Sequence, residues 1–355
     1  MNEQRQVTTE GACPAALGYS MPAEWRPHQA TWISWPHNRD SWPGKFGPVE
    51  PVMVRAVAAL SKSETVRINV LDERHETHVK ALLDRSVVAE NVVFHRFPTN
   101  DAWCRDHGAI FVRRGCDEEP LLALDFGFNS WGLKYPPFDL DDAMPPKMAR
   151  ALGVPCRSVD MILEGGSIEV NGAGALLTTE QCLLNPNRNP RLDRAAIEQN
   201  LRDSLGVQQI LWLGDGIAGD DTDGHVDDLT RFVSETSVVT VVERDRGDEN
   251  HAVLAENRER LAQIRLDGRP LEVIELAMPR PVEYKGDRLP ASYANFYIAN
   301  RIILMPVFDD AADEANRSIL AGCFPDRQVV PIDCTDLVLG LGTFHCLTQQ
   351  VPVFK

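Results

Sequence analysis

Little in this chain points to nucleic acid, membrane or metal. It has no run of lysine or arginine, and 52 acidic against 36 basic residues leave a formal net charge of −16. Such a surface repels polyanions and favours small cations. No apolar run is long enough to span a bilayer, and MNEQRQVTTEGACPAALGYS has no apolar core of signal-peptide length. The eight cysteines include no C-x-x-C pair, which argues against a disulfide framework or a zinc ribbon. The expectation is a thiol-bearing protein of the reducing cytoplasm. No low-complexity linker divides the 355 residues, and a hydrophobic content of 43% supplies a large core. Residues 1–20 read as a flexible N-terminal arm and residues 21–355 as a single domain.

What the chain does have is a recurring pattern. GAIFVRRGCDEEPLLALDF reads as two strands around a polar turn. GSIEVNGAGALLTTEQCLL repeats it, with Asn171-Gly172 as the hairpin signal. DLTRFVSETSVVTVVE and YANFYIANRIILMPVF, the latter turning at Asn300, repeat it again. Each hairpin is followed by an amphipathic helix and an apolar strand: RAAIEQNLRDSLGV leads to QQILWLG, VLAENRERLAQI to PLEVIEL, DEANRSILAGCF to RQVVPID. PVMVRAVAALSKS leads likewise to TVRINVL. DAMPPKMARAL leads to VPCRSVDM, although its two prolines weaken that helix. The unit is strand–strand–helix–strand, five times over, which predicts an α/β propeller-like ring. The fifth hairpin has to join ATWISWP near the N-terminus to FHCLTQQVPVF at the C-terminus, a closure that removes free edges.

Polar residues mark the unit starts. Asp106, Glu164, His225 and Cys346 lie 58, 61 and 121 residues apart, and the last gap spans two units. Taken singly, each has an ordinary explanation. Asp106 beside Arg105 reads as a surface ion pair, and Glu164 before two glycines as a turn. GDDTDGHVDDLTRF reads as a solvated acidic turn or an incomplete calcium loop. There His225 and Asp227, two apart on a strand, face one side. Cys346 reads as a buried thiol, though Gly340, Gly342 and the polar TQQ tail fit a loop that presents a side chain. His345, on an extended strand, points away from Cys346 and is a poor base for it. Trp25, Trp32, Trp35 and Trp42 form either core or a pocket lid.

Taken together, the four unit starts make one inventory: a thiol, an imidazole and several carboxylates. That set suits a guanidinium, whose planar N–H donors match carboxylate oxygens while sulfur approaches its carbon from one face.

The strings MPAEWRPHQATWISWPHN, NDAWCRDHG, LEGGSIEVNGAGALLTTEQCLLNPNRNP, GDDTDGHVDDLTRF and LGTFHCLTQQ resemble the agmatine deiminases. These belong to the guanidine-modifying superfamily, with the bacterial peptidylarginine deiminases as relatives. The resemblance covers about Met21 to Phe354. It implies a pentein fold, a pseudo-fivefold β/α propeller of five ββαβ blades. It implies Cys346 as nucleophile and His225 as general acid and base. Asp106 and Asp227 clamp the guanidinium, and Glu164 sits beside the histidine. Trp103 flanks the substrate, Asp221 lies near its far amine, and Trp131-Gly132 forms a pocket wall. Gly108-Ala109 departs from the family's usual Gly-Pro, a change to the loop and not to the chemistry. The implied reaction is agmatine plus water giving N-carbamoylputrescine and ammonia through an S-amidino-cysteine, without metal or organic cofactor. The expected partner is a small cationic guanidine, and homo-oligomers are common among relatives. The carboxylates oppose formation of a thiolate, so substrate binding is expected to complete its activation. Rival readings are another guanidine as substrate (peptidylarginine, free or methylated arginine), amidino transfer to an amine, or an amine-binding protein without catalysis.

Overall fold

The hairpins expected from the sequence form, and each opens a unit of the same design. A computed structural model of the chain describes residues 11–115 and 120–354. In the second unit, Ile110–Arg113 pairs antiparallel with Leu121–Gly127, which pairs parallel with Cys156–Ile162. The third unit repeats this with Glu169–Val170, Ala175–Thr179 and Gln209–Leu213. The fourth uses Thr230–Phe232, Ser237–Val242 and Glu272–Ala277, and the fifth Tyr297–Ile298, Ile302–Val307 and Gln328–Asp333. In the first unit the opening strand comes from the C-terminus. Thr348–Pro352 pairs antiparallel with His28–Ser34, and Thr65–Asn69 lies parallel beyond it. A fourth strand, Val92–His95, extends this sheet and was not expected.

The crossover helices follow from local chemistry. Val49–Leu60 buries Val49, Val52, Met53, Ala56, Val57 and Leu60, one face of an α-helix. Arg194–Leu205 starts at Asp193, whose carboxylate accepts the Ala196 N–H, and ends at Gly206, with φ of 67°. The prolines of DAMPPKMARAL fall in the first turn of helix Met144–Leu152, where a missing N–H leaves no intrahelical bond unmade. The Asn171-Gly172 hairpin turns through the loop Gly172–Gly174, with Asn171 Oδ1 accepting the Ala173 and Ala175 N–H groups.

Contacts run from unit to unit. Arg105 of the second donates to Gln350 of the first at 2.7 Å. The Gly166 N–H of the third donates to Asp106 of the second at 2.9 Å. Arg231 of the fourth bonds Glu169 of the third at 2.9 Å and the Phe296 carbonyl of the fifth at 2.6 Å. Asn300 of the fifth donates to the His28 carbonyl of the first at 2.9 Å. Trp32, Trp35 and Trp42 are core residues, each with its indole N–H bonded inside.

Of the expected arm, residues 1–10 lie outside the described residues. Its described part packs on the second and third units: Ser20 exchanges backbone bonds with Arg113, and Tyr19 is buried. Cys116 also lies outside the described residues. Among the described residues, no helix is long and apolar enough to cross a membrane.

Candidate active site

The polar residues at the unit starts converge, but on short helical turns and not on strands. Asp106 sits in the turn Cys104–His107, and Glu164 leads into Gly165–Ser167. His225 has extended backbone and leads into Val226–Asp228, which carries Asp227; the strand begins only at Thr230. Cys346 lies in the turn Phe344–Leu347, ahead of the last strand. The expectation that His225 and Asp227 share a strand face is therefore corrected, as is the extended strand expected for His345-Cys346. Such turns place several side chains of one segment near the same point.

Cys346 lies at the base of a cavity of about 260 Å³, walled by Trp103, Asp106, Trp131, Tyr135, Asp221 and Leu339–Leu341. Glycines let the wall approach the sulfur. A Cβ on Gly342 would stand 3.0 Å from Cys346 Sγ and 2.8 Å from the Trp103 ring, and one on Gly340 2.6 Å from the Trp42 ring. Trp42 thus buttresses the wall from behind.

Gly166 is the floor that brings the charged groups together. A Cβ there would lie 2.6 Å from His225 Nδ1, 2.9 Å from Asp106 Oδ1 and 3.0 Å from Asp227 Oδ2. His225 Nδ1 is 3.8 Å from Asp106 Oδ1, and Cys346 Sγ is 3.7 Å from Asp227 Oδ2. Asp106 does not pair with Arg105; it is buried and accepts from Gly166 N–H and, at 3.0 Å, from Trp131 Nε1. The Trp131 indole is aimed by a left-handed turn: Ser130, Trp131, Gly132 and Leu133 have φ of 54°, 54°, 92° and 68°. Positive φ at a tryptophan is strained, so the turn holds its place through its contacts. Behind His225, a Glu164 oxygen and the Cys182 sulfur lie within 4.8 Å of its ring nitrogen. Arg188 holds the other side of Glu164 at 2.7 Å.

The acidic stretch around His225 divides its labour. Asp220 accepts from the Thr222, Gly224 and His225 N–H groups and shapes the loop. Asp223 pairs with Arg188 and Lys134. Asp221 faces the cavity beside the Tyr135 hydroxyl, which donates to it. These roles replace the calcium-loop reading.

Burial raises the Cys346 thiol well above its ordinary range, and the charges of Asp227, Asp228 and Asp106 push the same way. Burial also raises Asp106, to about 6; the charges of Asp227 and Glu164 add to this, against the attraction of His225. For His225, burial disfavours the cation, but the charge of Asp106, the neighbouring Cys182 and the charge of Asp227 together outweigh it and hold the imidazole well above its ordinary range. Burial would raise Asp227 too, yet the hydrogen bond and charge of His345 bring it below the usual carboxylate range. Among the described residues, Asp227 Oδ1, Glu164 Oε2 and both ring nitrogens of His225 are buried without a hydrogen-bond partner. A planar cation with several N–H donors supplies what the two carboxylate oxygens lack.

Sequence reasoning missed the support beneath these groups. His345 bonds Asp227 Oδ2 at 2.6 Å through Nδ1 and Glu24 Oε2 at 2.9 Å through Nε2. Glu24 in turn takes Arg105 at 3.1 Å and Arg231 at 2.9 Å. His345 is thus not a partner of the sulfur but a brace for Asp227. Asn295 was missed as well, although the doubled gap between His225 and Cys346 called for a residue there. Its Nδ2 lies 3.0 Å from Cys346 Sγ.

Comparison with known proteins finds relatives over nearly the whole chain. The family model described as Porphyromonas-type peptidyl-arginine deiminase matches residues 20–352. The agmatine deiminase of Ectopseudomonas mendocina is 36% identical over 370 residues, covering 98% of this chain and 99% of that one. The solved agmatine deiminase of Enterococcus faecalis superposes with a TM-score of 0.90 at 32% identity, over 97% of this chain and 98% of that one. A cysteine-to-serine variant of C. jejuni agmatine deiminase with substrate bound superposes with a TM-score of 0.84 at 32% identity, over 95% and 96% of the two chains. With all five units inside the matched span, the chain belongs to the Porphyromonas-type peptidyl-arginine deiminase family.

Proposed function

We propose that this chain hydrolyses agmatine to N-carbamoylputrescine and ammonia. The observation that carries the choice of substrate is the cavity wall. Among the described residues it holds Asp40, Asp101, Asp106 and Asp221, and no lysine or arginine. Free arginine brings a carboxylate that needs a cationic partner, and this wall offers none. A peptidylarginine lacks the far amine that Asp221 suits. Agmatine carries a cation at each end and no carboxylate.

The roles follow from position. Asp106 and Asp227 hold the guanidinium with its carbon facing Cys346 Sγ. The substrate's charge offsets the surrounding carboxylates, and the thiol proton is released to solvent, where it ends on the departed ammonia. Sulfur adds to the carbon, the C–N bond to one terminal nitrogen breaks, and the His225 imidazolium protonates the departing ammonia. His225, now neutral, takes a proton from water as the hydroxide adds to the amidino carbon. The C–S bond then breaks, the sulfur leaves as thiolate and takes up the proton of the new hydroxyl group, and the neutral ureido product departs. Glu164 positions the imidazole, and Trp103 and Trp131 wall the substrate. Sulfur and imidazole carry every step, so the scheme needs neither metal nor organic cofactor. The five units read as the blades of one ββαβ propeller that brings the turns to a common axis.

The test is ammonia release from agmatine, free arginine and an arginyl peptide, with and without an added amine acceptor. Agmatine is expected to be turned over far faster than the others, with no amidino-amine product. Cys346→Ser is expected to abolish turnover and keep agmatine binding. Preference for arginine or peptide, or transfer to the amine, would overturn the substrate assignment.

A further inference from the structure

We propose that Glu24 is a positioning residue for the reaction: acting through His345, it fixes the carboxylate of Asp227 in place for the guanidinium. The proposal rests on Asp227 being one jaw of the clamp. Glu24 stands in a turn ahead of strand His28–Ser34, is buried, and is not part of the cavity wall.

Its two oxygens accept four hydrogen bonds, as many as a carboxylate has lone-pair sites. Oε1 takes the Arg231 guanidinium at 2.9 Å and the Ile298 N–H at 2.8 Å. Oε2 takes Arg105 at 3.1 Å and His345 Nε2 at 2.9 Å. Arg105, Arg231 and Ile298 come from the second, fourth and fifth units. Gln350 fixes Arg105, and Glu169 and the Phe296 carbonyl fix Arg231, so the Glu24 carboxylate has one orientation. His345, the fourth donor, passes that orientation on, because its Nδ1 meets Asp227 Oδ2 at 2.6 Å. A carboxylate only accepts, so both ring nitrogens donate, and the ring between Glu24 and Asp227 is a cation. Asp227 Oδ2 is thereby taken up. Oδ1, buried and without a partner among the described residues, is the oxygen left for the substrate.

The charges alternate along this row, from Arg105 and Arg231 through Glu24 and His345 to Asp227. Burial alone would raise Glu24, but the charges of Arg231, His345 and Arg105 hold it well below the ordinary carboxylate range. Next along the row, the His345 ring overcomes the burial of Asp227 in the same way. His225 and Arg231 also favour the Asp227 anion, while Asp106, Asp228 and the Cys346 sulfur face it from the other side. Glu169 stands behind Arg231 and His345. Without the charge of Glu24 the ring holds its second proton less firmly, and Asp227 protonates at higher pH.

The test compares wild type with Glu24→Gln, which keeps the shape and removes the charge, and Glu24→Asp, which keeps the charge. Nitrogen NMR of the His345 ring, assigned with His345→Gln, reads the link without substrate. At neutral pH both nitrogens are expected to carry protons in wild type and Glu24→Asp, and one of them in Glu24→Gln. Agmatine kinetics across pH read the consequence. In Glu24→Gln, kcat/KM is expected to fall about 10- to 100-fold at the acid end, mostly through KM. The acid limb moves to higher pH, and the loss shrinks as pH rises. Glu24→Asp is expected to keep that limb where wild type has it. A role in folding alone would lower activity equally at every pH. That result, an unmoved limb, or a His345 ring with both protons in folded Glu24→Gln overturns the proposal. If Glu24→Gln does not fold, His345→Gln takes its place in the kinetics, and an unmoved acid limb there overturns the proposal. Wild-type protein silent on agmatine refutes the substrate, and the NMR result still decides the link.

Discussion

Adding one methyl group at Gly166 tests the site without removing any reactive group. The Gly166 backbone is not left-handed, so alanine fits its dihedral angles and the effect comes from contact alone. The new Cβ would stand 2.6, 2.9 and 3.0 Å from His225 Nδ1, Asp106 Oδ1 and Asp227 Oδ2. Ordinary contact needs about 3.5 Å, so these groups have to retreat by roughly 0.5–1 Å. None has room. Asp106 is pinned by Trp131, Asp227 by His345, and His225 is backed by Cys182 and Glu164. Overpacking of this kind costs about 1–3 kcal/mol of stability. A misplacement of about 1 Å in a catalytic constellation costs about 100-fold in rate. Gly166→Ala is therefore expected to stay folded, with a lowered melting temperature and turnover down about 100-fold. Gly47→Ala is the control, because nothing lies within 4 Å of its Cβ. Steady-state ammonia release and thermal melts read both quantities. A Gly166→Ala protein with turnover within about threefold of wild type would refute the convergence of these groups on one point.

Two further substitutions separate charge from shape. Asp106 titrates near about 6 in the fold against an ordinary 3.8, so its ionisation opposes folding, and the stability present at lower pH is lost as pH rises through about 6. Asp106→Asn is therefore expected to lose turnover yet gain about 1–3 kcal/mol in urea denaturation near neutral pH, a gain that shrinks toward pH 5; a less stable variant at neutral pH refutes this. Asp221→Asn is expected to raise KM for agmatine about 10- to 100-fold with little change in kcat, while a simple alkylguanidine without the far amine is unaffected. Equal losses on both substrates would show that Asp221 does not read the tail.

Much of this fold is legible because its signals are local. Alternating strands, the Asn171-Gly172 and Asn300 turns, and the amphipathic crossovers each occupy one short stretch, and their repetition announces the five units. The closing pair of Thr348–Pro352 with His28–Ser34 was legible only through the count, since a fifth hairpin had no other source. What stayed hidden depends on contacts between distant residues. Glu24, Arg105, Arg231 and His345 look like ordinary charges until the units bring them together. The helical turns carrying Asp106 and Cys346 span four residues each, too few to show a period. The left-handed turn that aims Trp131 at Asp106 has one glycine, Gly132, to signal it, while Ser130, Trp131 and Leu133 adopt positive φ against their own preference.

The protonation pattern explains how such a site selects its substrate. A cysteine nucleophile is often activated in advance by a neighbouring cation, and such a thiolate is exposed to any electrophile or oxidant that enters. Here burial, with the charges of Asp227, Asp228 and Asp106, holds the Cys346 thiol well above its ordinary range. Burial first, and then the charges of Asp227 and Glu164, raise Asp106, a cost that the fold bears. A guanidinium lowers both penalties at once, because its charge stabilises the carboxylates and the thiolate together. A neutral electrophile of the same shape leaves the carboxylates uncompensated and meets an unreactive thiol. In the proposed mechanism, selection for a cation thus lies in the activation of Cys346 as well as in binding, and it needs no moving part.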